Sequence, residues 1–295
     1  MAFENGIPGL QDLIAAIQTD PSKFEDISRD LKGQISGMSG LRFRLLISEA
    51  AARMNAGLAY LEIGIYQAYS PLTVAQRAPG IRVVGVDNFS QVDLDGSNLS
   101  KIYEAIDLNG AQNFEVFDED FEKFLVEDPA GVKGQVGIYY FDASHDYRSQ
   151  MLALVHAPNW LADGGLIAVD DCNYPHVRQA TADFLTTHCD FKLLCEFYTG
   201  SHPQYWKLGE PKSQRGLVER LRSKKTSREP DLEHEKRCRE SWWNGVNILV
   251  HDPKDTLEPM LPSLPKDLRD GFLSQHGFAG CDAAGTVDRV AHMRG

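Results

Sequence analysis

Three aspartates and one histidine directly follow two apolar runs in the middle of the chain. The run QVGIYYF is followed by Asp142 and, three residues later, by His145. The run LIAV is followed by Asp170 and Asp171. Short apolar runs of this kind are typical of buried strands, and the carboxyl ends of parallel strands meet at one edge of a sheet. We therefore expect these four side chains to lie close together.

The three carboxylates need a neutralising partner if they converge. The turns DASHDY and DDCNYP contain no lysine or arginine, so the acids would repel one another unless they were protonated or bound to a cation. A hard divalent ion such as Mg2+ takes oxygen ligands, which predicts a metal site made by Asp142, Asp170 and Asp171. The alternative is that Asp170 or Asp171 caps a helix that begins near Pro175.

His145 and Asp142 are the candidate catalytic residues. The unperturbed pKa of histidine is about 6.5, so His145 can take a proton from a substrate hydroxyl at neutral pH. A metal ion beside it would lower the pKa of that hydroxyl and orient it. Asp146 is an alternative base, and a histidine in a loop can also be purely structural.

Residues 60–87 have the pattern of a nucleotide-binding βαβ unit. An apolar run contains Glu62 and is followed by Gly64, whose lack of a side chain allows a sharp turn and a close approach by a ligand. A helix is predicted from Ser70, with Ser70 as the N-cap and proline at the first helical position. A second apolar run then ends in Asp87.

The unit lacks the G-x-G-x-x-G pattern of dinucleotide-binding folds, which makes pyrophosphate a poor candidate ligand. Glu62 would repel a phosphate but can hold an ammonium group, and Asp87 can accept hydrogen bonds from ribose hydroxyls. That combination suits S-adenosylmethionine, which has an amino acid end and no phosphate. The alternative is an ordinary parallel sheet with a tight turn.

Asp120 follows the next predicted strand and could face an adenine amino group, or it could cap a helix in a solvated turn. The predicted cofactor-binding residues are Glu62, Gly64, Tyr66, Ser70, Asp87, Asp120 and Asp142.

Strands and helices alternate from residue 58 to 198, which predicts an α/β fold with a doubly wound, mainly parallel sheet. Three helices are expected in an N-terminal segment, 1–57, the last of them ending at Gly57. The main domain, 58–252, contains a charged insertion at 209–240, and a tail follows at 253–295. WWNGVNILVHD is expected to be the last strand of a seven-stranded sheet, with YWKL near Trp206 as the alternative.

Composition limits the classes of partner. The 295 residues contain 30 Lys and Arg against 42 Asp and Glu, giving a net charge of -12. This charge disfavours nucleic acid and anionic membranes, although the run KSQRGLVERLRSKKTSR is locally basic. Five cysteines without CxxC spacing, no secretory signal and no apolar run of about 20 residues predict a cytoplasmic protein with reduced thiols. A homo-oligomer is possible through the tail.

The motifs LEIGIYQAYS, VVGVD, YYFDASHDY and GLIAVDDCN together resemble the class I S-adenosylmethionine-dependent methyltransferases. More narrowly, they are similar to the macrocin O-methyltransferase group, in which D-x-x-H follows strand four and paired acids end strand five. The likeness covers about residues 37–197. One departure is Ala68, where that family usually has glycine, and the region after residue 197 has no match.

The resemblance implies a Rossmann-like methyltransferase fold and a Mg2+-assisted O-methyltransferase with a small-molecule substrate, such as a sugar or a glycosylated natural product. It implies that acids matching Asp142 and the Asp170/Asp171 pair hold the ion and that His145 is the base. Two other functions stay open: metal-independent N- or C-methylation of a small molecule, and a non-catalytic binding protein with a nucleotide-binding fold.

Overall fold

The computed structural model describes residues 7–197 and 239–257, which form a seven-stranded mixed sheet with helices on both faces. The α-helices of this part are α1 (Leu10–Thr19), α2 (Leu41–Ala52), α3 (Tyr69–Arg77), α4 (Asn98–Asn109), α5 (Phe121–Glu127), α6 (Tyr147–Trp160) and α7 (Pro175–Thr187). Its strands are β1 (Ala59–Ile63), β2 (Arg82–Asp87), β3 (Phe114–Asp118), β4 (Val136–Phe141), β5 (Leu161–Asp170), β6 (Phe191–Phe197) and β7 (Val246–His251).

The strand order is β3-β2-β1-β4-β5-β7-β6. The first five strands in this order are parallel, and β7 is antiparallel to both β5 and β6. This order confirms the Rossmann-like, doubly wound fold, and β7 confirms the strand predicted in WWNGVNILVHD. The chain order reverses between β1 and β4, the kind of position at which open α/β sheets bind ligands. YWKL, nearly all of the charged insertion and most of the tail lie outside the described residues.

Two apolar cores cover the two faces of the sheet, because successive side chains of a strand point to opposite sides. On one face, Tyr60 and Tyr140 pack with helices α1–α4, and the rings of Phe43 and Tyr140 lie 4.6 Å apart. On the other face, helices α5–α7 supply Phe124 and Trp160 among others. None of the helices within residues 7–197 and 239–257 combines the length and apolar character that a membrane span requires.

The prediction of a second N-terminal helix is wrong. That segment contains two short 3-10 turns, Pro21–Lys23 and Ile27–Asp30. Asp20 accepts the backbone N–H of Ser22, and Asp26 accepts a side-chain hydrogen bond from within its own turn. Such local bonds compete with the helical hydrogen-bond pattern, and this explains why the weak helical periodicity does not produce a helix.

Two predicted helix ends also differ from the structure. α2 ends at Ala52, and Gly57 instead provides a left-handed residue (φ 89°) in the turn that enters β1. The sequence RSQMLALVHAPNWLADGG predicts a helix closed by its two glycines. α6 instead ends at Trp160, because β5 begins at the next residue. Gly164 and Gly165 lie within β5, whose pairing with β4 has an irregular register there.

The start of α3 is a third correction. The helix begins at Tyr69, and its N-cap is Ala68, which has a left-handed backbone (φ 59°). Ser70 therefore lies inside the first turn and does not cap the helix. Its hydroxyl donates to Glu62 instead, because the buried carboxyl of β1 lies within reach. Glycine adopts the conformation of Ala68 more readily than alanine, so the departure from the family pattern falls on a strained position.

Gly64 allows the turn after β1 to pack against the end of β4. Its φ is 90°, and a Cβ at this position would lie 2.7 Å from Ala143 N and would also clash with the carbonyl of Asp142. Gly57 has nearly the same φ, 89°, but a Cβ there would meet no atom within 4 Å. Alanine at Gly57 would therefore introduce backbone strain alone, whereas alanine at Gly64 would introduce both backbone strain and steric overlap.

We expect Gly57→Ala to lower the free energy of unfolding by about 1–2 kcal/mol through its left-handed backbone. Gly64→Ala is expected to lower the free energy of unfolding by about 1–3 kcal/mol more than Gly57→Ala does, because the end of β4 must shift to make room for the new side chain. Urea denaturation of both variants measures the difference. Equal losses would show that the close approach of Gly64 to Asp142 is unimportant.

Candidate active site

A cleft lies at the carboxyl ends of β1, β2, β3 and β4. It encloses about 750 Å3 of space, part of it open to solvent. The predicted site residues that line it are Gly64, Tyr66, Asp87, Asp142 and His145. The others, Glu62, Ser70, Asp120, Asp170 and Asp171, do not line this cleft.

Asp87 connects two turns at the cleft wall. Its Oδ2 accepts the backbone N–H of Tyr66 at 2.9 Å, and its Oδ1 accepts that of Phe89 at 2.8 Å. Both donors have φ 51°, an uncommon conformation for large side chains. Burial raises the pKa of Asp87, and the backbone N–H bonds only partly oppose this rise. Each carboxylate oxygen retains a lone pair that can accept a further hydrogen bond, such as one from a ribose hydroxyl.

Glu62 lies behind the cleft, with 1% of its surface exposed. Its two oxygens accept hydrogen bonds from the hydroxyls of Tyr60 and Ser70, each at 2.5 Å. Burial raises the pKa of Glu62 to about 8, although both hydrogen bonds favour the ionised form. The carboxyl group is therefore largely protonated at neutral pH unless a cation binds nearby.

Asp120 caps α5, as one of the two sequence interpretations predicted. It is exposed, and its side chain accepts the backbone N–H of Glu122 at 2.9 Å. Its neighbours Glu119 and Phe121 line the cleft instead. Sequence reasoning missed both, although they also directly follow the carboxyl end of β3, which was the available signal.

Asp142 and Asp170 form a close acid pair. The Tyr140 hydroxyl lies 2.8 Å from Asp142 Oδ2 and 3.1 Å from Asp170 Oδ2, so the two carboxyl groups lie side by side. Burial, together with the charges of neighbouring aspartates, raises the pKa of both groups. Two carboxylates this close repel each other, so in the absence of a cation the pair favours binding a proton.

Asp171 points to different partners. Its Oδ2 lies 2.9 Å from Nε2 of His145, and its Oδ1 accepts a 2.7 Å hydrogen bond from Asn244. The left-handed backbone of Asp171 (φ 58°) sets its direction relative to Asp170. The interpretation of either acid as the cap of α7 is wrong, because its N-cap is Tyr174 and no side chain caps the helix.

The ring of His145 has one engaged and one unengaged nitrogen. Nε2 contacts Asp171, whereas Nδ1 is buried and has no hydrogen-bond partner in the described part of the chain. Burial lowers the pKa of His145, but the hydrogen bond and charge of Asp171 outweigh this effect, and the net pKa is raised. Asp146, the alternative base, is exposed and caps α6 through the backbone N–H of Ser149.

The predicted three-carboxylate metal set is not assembled. Within residues 7–197 and 239–257, no three or more His, Cys, Asp or Glu side chains are grouped so that they could hold a metal ion. The structure pairs Asp142 with Asp170 but not with Asp171. The physical reason is that His145 and Asn244 already satisfy both oxygens of Asp171.

Comparison with protein families identifies the enzyme class. Residues 61–172, which include the cleft turns, the acid pair and Asp171, match a family model described as a methyltransferase domain. The chain therefore contains a methyltransferase domain. A comparison with curated proteins gives no match.

Several solved structures are similar to this methyltransferase at low sequence identity. A cofactor-bound protein from MTB is 16% identical, with a TM-score of 0.46, and the match covers 83% of this chain and 89% of that one. The O-methyltransferase TomG from Streptomyces achromogenes, in complex with SAM, is 13% identical (TM-score 0.46; 85% and 93% covered). An O-methyltransferase from Bacillus cereus, in complex with SAH, is 12% identical (TM-score 0.46; 85% and 94% covered). Because these TM-scores are below 0.5, they carry no weight in the assignment of function.

The raised pKa of Glu62 predicts a pH-dependent stability. Its folded-state pKa of about 8 exceeds the ordinary value of 4.5, so the folded state holds the proton more tightly. Stability should therefore fall as the pH rises from about 4.5 towards about 8. In Glu62→Gln this contribution is absent, so the stability of the variant relative to wild type should grow over that range.

The measurement is urea denaturation of the cofactor-free protein at about pH 5 and pH 8. Glu115→Gln is the control, because the hydrogen bond from Arg82 lowers the pKa of Glu115, and its titration falls below this range. If the difference in unfolding free energy between wild type and Glu62→Gln is the same at both pH values, the assigned protonation of Glu62 is contradicted.

Proposed function

We propose that the protein is an O-methyltransferase that acts on a hydroxyl group of a small metabolite, such as a sugar or a glycosylated natural product. The observation that carries this proposal is the His145–Asp171 pair, which presents an oriented base at the wall of the cleft. The narrower resemblance of the D-x-x-H and paired-acid motifs to the macrocin group supports the choice of a hydroxyl acceptor.

The charge of the cleft favours S-adenosylmethionine as its ligand. Its lining includes Asp87, Glu119 and Asp142 but no lysine or arginine among the described residues. A cleft lined by one sign of charge attracts ligands of the opposite sign. The cofactor carries a sulfonium and an ammonium cation and no phosphate, so its charge complements this lining. Asp87 would accept hydrogen bonds from the ribose hydroxyls, and the ammonium group would favour ionised Glu62.

His145 is the proposed base for proton removal. When Nε2–H donates to Asp171, Nδ1 carries the free lone pair; this tautomer is assigned from the hydrogen bond. Asp171 orients the ring and stabilises the charged imidazolium after proton transfer. When bound, S-adenosylmethionine supplies the electrophilic methyl group. His145 would take the proton that the acceptor hydroxyl gives up when it is methylated.

The Asp142–Asp170 pair has the chemistry of a partial Mg2+ site. The half-buried carboxyl of Asp142 and the buried carboxyl of Asp170 offer oxygen ligands to a divalent ion, which would displace a proton bound by the pair. When bound, Mg2+ would lower the pKa of the acceptor hydroxyl. Asp171, which the sequence predicted as a third metal ligand, instead contacts His145 Nε2 and orients its ring in this arrangement.

A second candidate is metal-independent N- or C-methylation. It is favoured by an acid-lined cleft that would position an amine. Chelator insensitivity of turnover would support this candidate.

Calorimetric titration with S-adenosylhomocysteine, in Mg2+ and again in EDTA, tests the cofactor and the ion separately. We expect cofactor binding in both conditions and a separate Mg2+ isotherm that Asp170→Asn abolishes, because the variant removes one charge from the acid pair. Asp163→Asn, a change at an exposed residue in the first part of β5, should retain the isotherm. No cofactor binding would overturn the proposed function, and no Mg2+ binding would remove its metal component.

His145→Ala tests the base. We expect the rate of methyl transfer to fall by about 100-fold or more, since positioned general bases contribute about that much. The affinity for S-adenosylhomocysteine should change little. The measurement is S-adenosylhomocysteine formation with a hydroxylated acceptor found by screening.

Asp146→Asn is the control for His145→Ala, because asparagine preserves the helix cap. A larger loss in Asp146→Asn than in His145→Ala would assign the base to Asp146.

A further inference from the structure

Three separate chain segments meet along one side of the cleft. The first, residues 36–40, contributes Met38, and the turn after Gly64 contributes Tyr66. The third, residues 88–98, contributes Asn88, Gln91 and Val92. These segments are distant in sequence, so the shape of this wall depends on the contacts that join them.

The side-chain amide of Gln67 joins all three segments. Its Oε1 accepts two hydrogen bonds from Ser36, one from the backbone N–H and one from the hydroxyl, each at 2.9 Å. Its Nε2 donates to Oδ1 of Asn98 at 2.9 Å. Asn98 in turn donates through Nδ2 to the carbonyl of Val92 at 3.3 Å.

The burial of Gln67 and Asn98 makes these hydrogen bonds costly to break. Gln67 is 9% exposed and Asn98 is 2% exposed, so water does not readily replace their bonds. An amide is suited to this position because it both accepts and donates, whereas a carboxylate only accepts. Each segment that the amide joins also lines the cleft, which distinguishes Gln67 from a polar residue that merely satisfies the core.

The segment 36–40 is also held at its other end. A Cβ on Gly40 would clash with the backbone of Ser241 and Trp243, and Arg239 donates to the carbonyl of Gly37 at 3.3 Å. Met38 lies between these two attachments, with 52% of its surface exposed at the cleft. Gln67 is the attachment that connects this segment to the turn after Gly64.

We propose that Gln67 is a positioning residue that holds these three segments together and so fixes the wall of the cofactor cleft. This inference rests on the proposed function, in which the cleft binds S-adenosylmethionine. It adds a specific role for a residue that does not line the cleft itself.

Gln67→Met tests the proposal, because methionine keeps the size of the side chain and loses its hydrogen bonds. We expect the Kd for S-adenosylhomocysteine to rise about tenfold, since neutral hydrogen bonds of this kind contribute about 1 kcal/mol each. The matched control is Gln76→Met, in α3, where the amide donates to the carbonyl of Asn109 at 2.8 Å, at the end of α4 and away from the cleft lining. The control should bind S-adenosylhomocysteine like wild type.

Hydrogen exchange provides a readout that does not depend on ligand binding. The backbone N–H of Ser36 is bonded to Gln67, so its exchange and that of residues 88–98 should accelerate in Gln67→Met but not in Gln76→Met. Exchange in β1 and β4 should be unchanged.

Gln67→Glu is a second variant for the case in which Gln67→Met does not fold. It keeps the acceptor for Ser36 and loses the donor to Asn98, so it should loosen residues 88–98 alone.

The outcomes separate this inference from the proposed function. If wild type does not bind S-adenosylhomocysteine, the proposed function fails, and the exchange comparison still decides whether Gln67 holds the segments. If wild type binds and Gln67→Met matches Gln76→Met in affinity and exchange, the role of Gln67 is overturned.

Discussion

The burial of carboxyl groups without basic partners is the constraint on which this site depends. Glu62 receives its hydrogen bonds from the hydroxyls of Tyr60 and Ser70, and the acid pair at the ends of β4 and β5 contacts the hydroxyl of Tyr140. In the described part of the chain, no lysine or arginine forms a salt bridge with any of these carboxyls. A buried carboxylate without a cation is costly, so each group must be protonated or bind a positive ligand. The site is therefore prepared for cations, in keeping with a sulfonium cofactor.

The sheet brings the acids together and leaves space above them. β1 and β4 are neighbours at the point where the strand order reverses, so the turns after these strands diverge and open a cleft. Gly64 permits the first of these turns to lie against Asp142 without a side chain between them. Asp87 then holds two turns with left-handed residues in place through its carboxylate. Hydrogen bonds to this carboxylate thus maintain two uncommon backbone conformations beside the cleft.

The consecutive acids at the end of β5 have different tasks because their backbones differ. Asp170 continues the strand and meets Asp142, whereas Asp171 adopts a left-handed conformation and meets His145. One acid therefore belongs to a pair that can accept a cation, and the other orients a base. The antiparallel strand β7 also contributes, since Asn244 in the turn before it donates to Asp171 and limits the directions that carboxylate can take.

The sequence by itself determined the order of strands and helices from residue 58 to 198, the turn at Gly64 and the acids at the strand ends. These features follow from local periodicity and from residue types at strand ends, which are properties of neighbouring residues. Only the tertiary structure decided three other features. These are the pairing of Asp171 with His145, the hydrogen bond from the Ser70 hydroxyl to Glu62 in place of a helix cap, and the contacts of Gln67 with Ser36 and Asn98. Each of these depends on side-chain directions and on groups far away in the chain, and no local pattern carries that information.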